Sequence, residues 1–239
     1  MSVERRLFIT GASSGVGRSL VHYLKDRFEI VAVARRLERM KEEFGEDETV
    51  SCYKLDLTGT TTLGPRLDEI IERHRPIPYL INNAGVRVSE PVEEVDGDAV
   101  RESFEVNAFA PLTLMQKMLP AMQTFNFGRI VNMTSVAPLT CKPNYAAYSA
   151  SKSALNALTV TAARENADAN IKINLMSPGP VQTEMAPDAP MAPSSCHSTV
   201  DYLLGLDEDG PTGQFFWLGT NVPLFPHSKW KAVAQKQGQ

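Results

Sequence analysis

The sequence predicts an α/β protein: a doubly wound parallel sheet of about seven strands with helices on both faces. Short apolar runs alternate with stretches of helical period, their connections are short, and the first run stops at a glycine-rich turn that opens a helix. A chain of 239 residues, 43% hydrophobic and 22% charged, suits one large α/β domain better than two small ones. That domain is expected over residues 1–226, followed by a polar tail at 227–239.

The first strand is read at Leu7-Phe8-Ile9, and Thr10 to Gly17 is the turn. Val16, Leu20, Tyr23 and Leu24 then recur on one side of a helix. A strand, a tight turn and a helix N-terminus make an anion site, because free backbone N–H groups and the helix dipole both face it. Gly11 permits the turn, Gly15 lets a ligand approach the backbone, and Gly17 lets the helix pack closely on the strand. The spacing Gly-x-x-x-Gly-x-Gly differs from the Gly-x-Gly-x-x-Gly of the commonest dinucleotide fingerprint, but strand and helix lie on the correct sides for a nucleotide phosphate.

Ile30 to Ala34 is the second strand and ends in Arg35-Arg36. In Rossmann-type folds an acid at this point bonds a ribose 2′-hydroxyl, whereas an arginine accommodates a 2′-phosphate. Ala34 stands where the acid belongs and Arg35 follows, so NADP(H) is expected over NAD(H); two solvated arginines are the bland alternative. Leu37 to Phe44 is a short charged helix and Val50 to Leu55 the third strand. Asp56 closes it, either to meet an adenine amino group or to form a turn. A helix around Leu67 to Arg73 leads to the fourth strand, Tyr79-Leu80-Ile81, which ends in Asn82-Asn83-Ala84-Gly85. A tight turn there brings backbone close to a ligand outside the strand ends, while Asn82 is equally suited to bridging neighbouring strands.

From about Asp98 to Phe125 the pattern is one long helix interrupted by Pro111. Proline has no N–H, so the carbonyl four residues earlier, at Asn107, loses its partner and a bend is expected there. Gly128 to Met133 is the fifth strand, delivering Thr134-Ser135 at its end. The loop Val136 to Asn144 follows, then a helix carrying Tyr148 and Lys152. These two are four apart and so share a helical face. A cation within a few Å lowers a phenol's pKa from ~10 by roughly 1 to 3 units, which would let Tyr148 exchange a proton near neutrality, with the Ser135 hydroxyl at the same point. Tyr145 reaches only Ser149 by the same spacing and is not given this role. Ile171 to Leu175 is the sixth strand, broken by Ser177-Pro178-Gly179-Pro180, and Gln214 to Leu218 the last. Between them, Pro187, Pro190 and Pro193 with Met185 and Met191 suggest a short, stiff, apolar lid over 183–198, or a merely mobile stretch.

The net charge of -4 argues against a nucleic-acid surface, and Lys229, Lys231 and Lys236 read as a solvated tail. Cys52, Cys141 and Cys196 form no Cys-x-x-Cys pair, and His22, His74, His197 and His227 have no ligand spacing, so neither a disulfide scaffold nor a metal site is expected. Met1 to Arg6 leads into an apolar run too short for a signal peptide or membrane span. The expectation is a reducing, cytoplasmic setting with no membrane partner.

Taken together, these motifs resemble the classical short-chain dehydrogenases/reductases over nearly the whole chain. Thr10 to Gly17 matches that family's turn, Asn82 to Gly85 its Asn-Asn-Ala-Gly, Pro178-Gly179 its motif after the sixth strand, and Asn107, Ser135, Tyr148 and Lys152 its four catalytic positions. Asp209 to Phe216 is similar, less specifically, to carbonyl-reductase-like members. The resemblance implies that Tyr148 is general acid in reduction and base in oxidation, that Ser135 binds the same substrate oxygen, and that Lys152 lowers the Tyr148 pKa and holds the nicotinamide ribose. It implies an Asn107 water relay leading to Lys152. It also implies cofactor contacts from Gly11, Ser13, Ser14, Gly15, Val16, Gly17, Arg35, Arg36, Asp56, Leu57, Asn83, Ala84, Gly85, Pro178, Gly179, Val181 and Thr183, besides Tyr148 and Lys152. Val86, Val88, Val136, Leu139, Tyr145 and Met185 are expected to line a partly apolar substrate pocket. The activity implied is interconversion of a carbonyl and an alcohol on a small molecule, by a homodimer or homotetramer. An epimerase or dehydratase on the same fold, whose chains are usually longer, and a non-catalytic NADP-binding regulatory protein are the competing readings.

Overall fold

The computed structural model describes residues 4–224; the tail at 227–239 lies outside them. Its centre is an eight-stranded sheet in the order β3-β2-β1-β4-β5-β6-β7-β8. The strands are β1 (Arg6–Thr10), β2 (Glu29–Ala34), β3 (Val50–Lys54), β4 (Tyr79–Asn82), β5 (Gly128–Met133), β6 (Ile171–Ser177), β7 (Phe215–Trp217) and β8 (Thr220–Asn221). All neighbours are parallel except β7 and β8. The two-residue β8 was not expected; Gly219, at φ +78°, turns the chain back after Trp217 at the sheet edge.

The strands read as continuous apolar runs because both faces are covered. In β1, Leu7 and Ile9 join the core formed with α1 (Gly15–Leu24), α2 (Leu37–Phe44) and α8 (His197–Leu204), while Phe8 joins the core formed with α3 (Thr60–His74), α5 (Ala110–Phe125) and α7 (Ala146–Glu165). This is the two-residue period of a strand serving two cores.

Three helical features depart from the sequence expectation. The stretch 98–125 is not one helix but α4 (Gly97–Phe104), a π-helical turn (Glu105–Phe109) and α5. The Ala110 N–H reaches back five residues to the Glu105 carbonyl, so the break forced by Pro111 is absorbed as a widened turn centred on Asn107. Within the loop 136–144 the chain forms one helical turn, α6 (Ala137–Thr140). The end of the expected lid is helical, a 3₁₀ turn (Pro193–Cys196) followed by α8, because Thr199, Val200, Leu203 and Leu204 present a buried stripe to the sheet.

A buried Arg129 ties down the opposite end of the sheet. Its guanidinium donates to the carbonyls of Leu206, Gly128 and Asn170 and to the Asn170 side chain, and lies over the Phe127 ring. Among the described residues no helix is long and apolar enough to cross a membrane.

Candidate active site

Strand order reverses between β1 and β4, where crossovers diverge to opposite sides and leave a crevice at the strand carboxyl ends. A cleft of about 1130 Å³ opens there. Its floor is the glycine turn. Gly11 and Gly15 have φ of +70° and +53°, values that disfavour a side chain. A Cβ on Gly17 would lie 2.2 Å from the Gly11 carbonyl oxygen, so only glycine lets α1 sit this close to β1. Gly17 acts from beneath the turn, packing helix on strand as its position predicts, and is not among the residues lining the cleft. The Thr10 hydroxyl accepts from the N–H groups of Asn83 and Ala84, and the Asn83 amide donates to the Thr10 carbonyl. The segment after β4 thereby clamps the turn after β1.

The first turn of α1 has no side-chain cap. Its N–H groups, the positive end of the helix dipole and the side-chain-free cradle at Gly11 and Gly15 fit a phosphate. The other expected cofactor residues, from Ser13 and Ser14 through Thr183, line the same cleft.

The two arginines after β2 diverge. Arg36 donates to the Ser14 hydroxyl at 2.6 Å and lies 3.4 Å from that of Ser13, whereas Arg35 turns outward to Glu102 at 3.4 Å. Arg36 is thus the arginine packed on the glycine turn. One of its partners was not anticipated: Glu184 bridges Arg36 and Arg39, each at 2.7 Å. Arg39 is one helical turn after Arg36, a spacing visible in the sequence; Glu184 is distant in the chain and carries no such signal. Asp56 accepts from the N–H and hydroxyl of Thr58 while lining the cleft, so its turn-forming role is realised. Asn82 takes the bridging role, donating to Asn132 on β5 at 2.7 Å.

Ser135, Tyr148 and Lys152 also line the cleft. Lys152 is buried, and its amine donates to the Met133 carbonyl at 2.8 Å. Burial alone pulls its pKa down to about 8, since desolvation disfavours the cation. Tyr148 departs from expectation: burial raises its pKa, opposed first by the Ser135 hydrogen bond and then by the charge of Arg87. Lys152 is not among the groups that lower it; its amine is directed at the Met133 carbonyl. Asn107 is buried behind these groups. Its amide donates to the Val86 carbonyl and the Ser151 hydroxyl, and its oxygen accepts from the Val86 N–H. A Cβ on Gly85 would stand 3.1 Å from that oxygen and 3.5 Å from the Lys152 amine, so Gly85 is what allows Asn107 and Lys152 to converge.

At the far end, Val86, Val136, Tyr145 and Met185 line the cleft as expected, but Val88 and Leu139 do not. Leu139 is on the outer side of α6, 45% exposed, and Val88 lies where the chain runs on toward the bridge between Glu90 and Tyr145. Arg87 and Lys142 line this end too; they fall in the stretches 86–89 and 136–145 that the sequence places at the pocket, although neither side chain stands out there. Arg87 donates to the Met185 carbonyl of the lid, and its guanidinium lies 5.7 Å from the Tyr145 ring centroid.

A sequence profile described as short chain dehydrogenase matches residues 5–192. The chain is 33% identical over 205 residues to a "Dehydrogenase/reductase SDR family protein 7-like" of Anopheles gambiae, covering 82% of this chain and 65% of that relative's length. It is similar to a solved structure described as 4-hydroxyisoleucine dehydrogenase complexed with NADH and succinate (28% identity, TM-score 0.82, covering 88% of this chain and 96% of that one). A second solved structure, ElxO with NADP bound, is 25% identical with a TM-score of 0.81, covering 91% and 98% respectively.

Proposed function

Because the chain belongs to the short-chain dehydrogenase family, an oxidoreductase family, we propose that it interconverts a ketone or aldehyde and the corresponding alcohol with NADP(H), using Tyr148 as the general acid and base. The observation that carries the reading is the convergence of Ser135, Tyr148 and Lys152 on the same cleft as the uncapped phosphate turn. When bound, the reduced cofactor supplies the hydride.

The protein's part is position and charge. The α1 N-terminus and the glycine turn bind the diphosphate. Lys152 would hold the nicotinamide ribose through the N–H groups of its ammonium. Tyr148 donates a proton to the carbonyl oxygen during reduction and withdraws it during oxidation. A phenol whose pKa stands above its ordinary value is a proton donor at neutral pH, which suits reduction. Ser135 donates to the same oxygen as negative charge develops there, and Asn107 fixes the Val86 backbone and α7 relative to each other behind Lys152.

The two similar solved structures differ in their nicotinamide cofactor, NADH in one and NADP in the other, so the preference rests on this chain's own residues. Arg36 is packed on the glycine turn, Arg39 follows it one helical turn later, Arg35 lines the cleft mouth, and no acid stands at Ala34, a set that favours a 2′-phosphate over a bare 2′-hydroxyl. The test is fluorescence titration of NADPH and NADH. The expected result is tighter binding of NADPH, reduced at least about tenfold by Arg36→Ala while NADH binding moves little. Equal affinity for both, unaffected by the substitution, would overturn the NADP assignment.

A further inference from the structure

We infer that the carbonyl substrate carries a carboxylate or similar anionic group, and that Arg87 is the residue that recognises it. The inference rests on the reading above for the reaction and adds the substrate class. Arg87 follows the Asn82 to Gly85 turn and lines the cleft beside Tyr145, Tyr148 and the lid. Its guanidinium lies 5.7 Å from the Tyr145 ring centroid, and the Tyr145 and Tyr148 rings meet edge to face at 6.2 Å. The charge of Arg87 is felt at the Tyr148 phenol, so the cation stands at the reacting end of the cleft.

Among the described residues that cation has no counterion: Arg87 forms no ion pair, and its one hydrogen bond is to the Met185 carbonyl. A guanidinium has five N–H donors in a planar fork that matches a carboxylate bidentately, and most of the fork is unused here. The cleft's acids are occupied or elsewhere: Glu184 is held by Arg36 and Arg39, and Asp56 by Thr58. Asp188 lines the cleft from the lid without contacting Arg87. Lys142, also without an ion pair among the described residues, adds a second positive charge on the same wall. In a chain of net charge -4, two uncompensated cations on the substrate wall select for an anion.

The reaction is then reduction of an oxo acid. A hydride passes from NADPH to the carbonyl carbon, Tyr148 gives the proton to the oxygen, and the products are the hydroxy acid and NADP⁺. The carboxylate docks on Arg87 and orients the carbonyl toward Ser135 and Tyr148.

The experiment compares matched pairs, the 2-, 3- and 4-oxo acids pyruvate, acetoacetate and levulinate against their methyl esters, with NADPH. For at least one pair, wild-type kcat/KM is expected to favour the acid. Arg87→Met should lower the acid-to-ester ratio roughly 10- to 100-fold, mainly through KM, with Arg87→Lys restoring part of it. Calorimetric binding of the same acids to the NADP⁺ complex, where no reduction occurs, should weaken in parallel. If Arg87→Met lowers acid and ester equally, or weakens NADPH binding without changing the ratio, Arg87 is a lid strap or a cofactor contact and the inference falls. If neutral ketones or aldehydes are reduced but no acid is preferred, the inference falls and the carbonyl reductase reading stands. Tight NADPH binding with no turnover of any carbonyl overturns both.

Discussion

Lys152 is nearly excluded from solvent, and burial lowers its pKa from the ordinary 10.5 to about 8. Below about pH 8 both folded and unfolded chains hold its proton, and the folded one bears the cost of an immersed charge. Between about 8 and 10.5 the folded chain has released the proton while the unfolded chain keeps it, so stability rises with pH across that window. At 1.36 kcal/mol per unit, the cost near neutrality is about 3 kcal/mol, partly offset by the hydrogen bond to Met133. Lys152→Met should therefore abolish turnover, yet its stability relative to wild type should be about 2 to 3 kcal/mol more favourable near pH 7 than near pH 10.5. Urea unfolding of the cofactor-free proteins at the two pH values measures this, and a pH-independent difference would refute it. That Tyr148 and Lys152 both face the cleft was legible from their spacing, because helix geometry alone puts them on one face. The sign of the phenol's shift was not, because it depends on how much protein surrounds the ring. Arg87 was equally illegible: an arginine after a turn acquires meaning only when the lid and Tyr145 close around it.

At the scale of elements, strands and the turn were the most legible parts. A strand buried on both faces leaves an uninterrupted apolar run, and the glycines at 11, 15 and 17 are demanded by backbone angles and a 2.2 Å approach. The break at Asn107 was legible from Pro111, although its form, a π-helical turn, depends on packing against α7. α6 and α8 were hidden among prolines, and the stripe that buries α8 is short. The lid itself is tied across the cleft by Glu184 on Arg36 and Arg39, whose hydrogen bonds hold the Glu184 pKa below its ordinary value. A carboxylate on these arginines competes with a 2′-phosphate for the same charge. Glu184→Gln is expected to tighten NADPH binding several-fold at low salt, to leave NADH binding nearly unchanged, and to lose its effect at about 0.5 M salt, where exposed charges are screened. Titration of both cofactors at the two salt concentrations checks it; a Glu184→Gln protein that binds NADPH more weakly would contradict it.

Across the whole molecule, the cofactor cradle and the proton-transfer group belong to opposite halves of one sheet. The turn comes from β1 and α1, the arginines from β2 and α2, Ser135 from β5 and Tyr148 from α7, and they meet because strand order reverses between β1 and β4. That meeting is the central claim: the phosphate turn serves the hydride donor, and Tyr148 protonates what the hydride reduces. It is tested most directly by single-turnover transfer of deuterium from NADPH deuterated on its transferring face, to a carbonyl the wild type accepts, for wild type and Tyr148→Phe with the cofactor saturating. The account predicts deuterium on the carbinol carbon in the wild type, and a rate lowered about 10²- to 10⁴-fold in the variant with its NADPH affinity retained. Transfer at the full wild-type rate without the Tyr148 hydroxyl would contradict it.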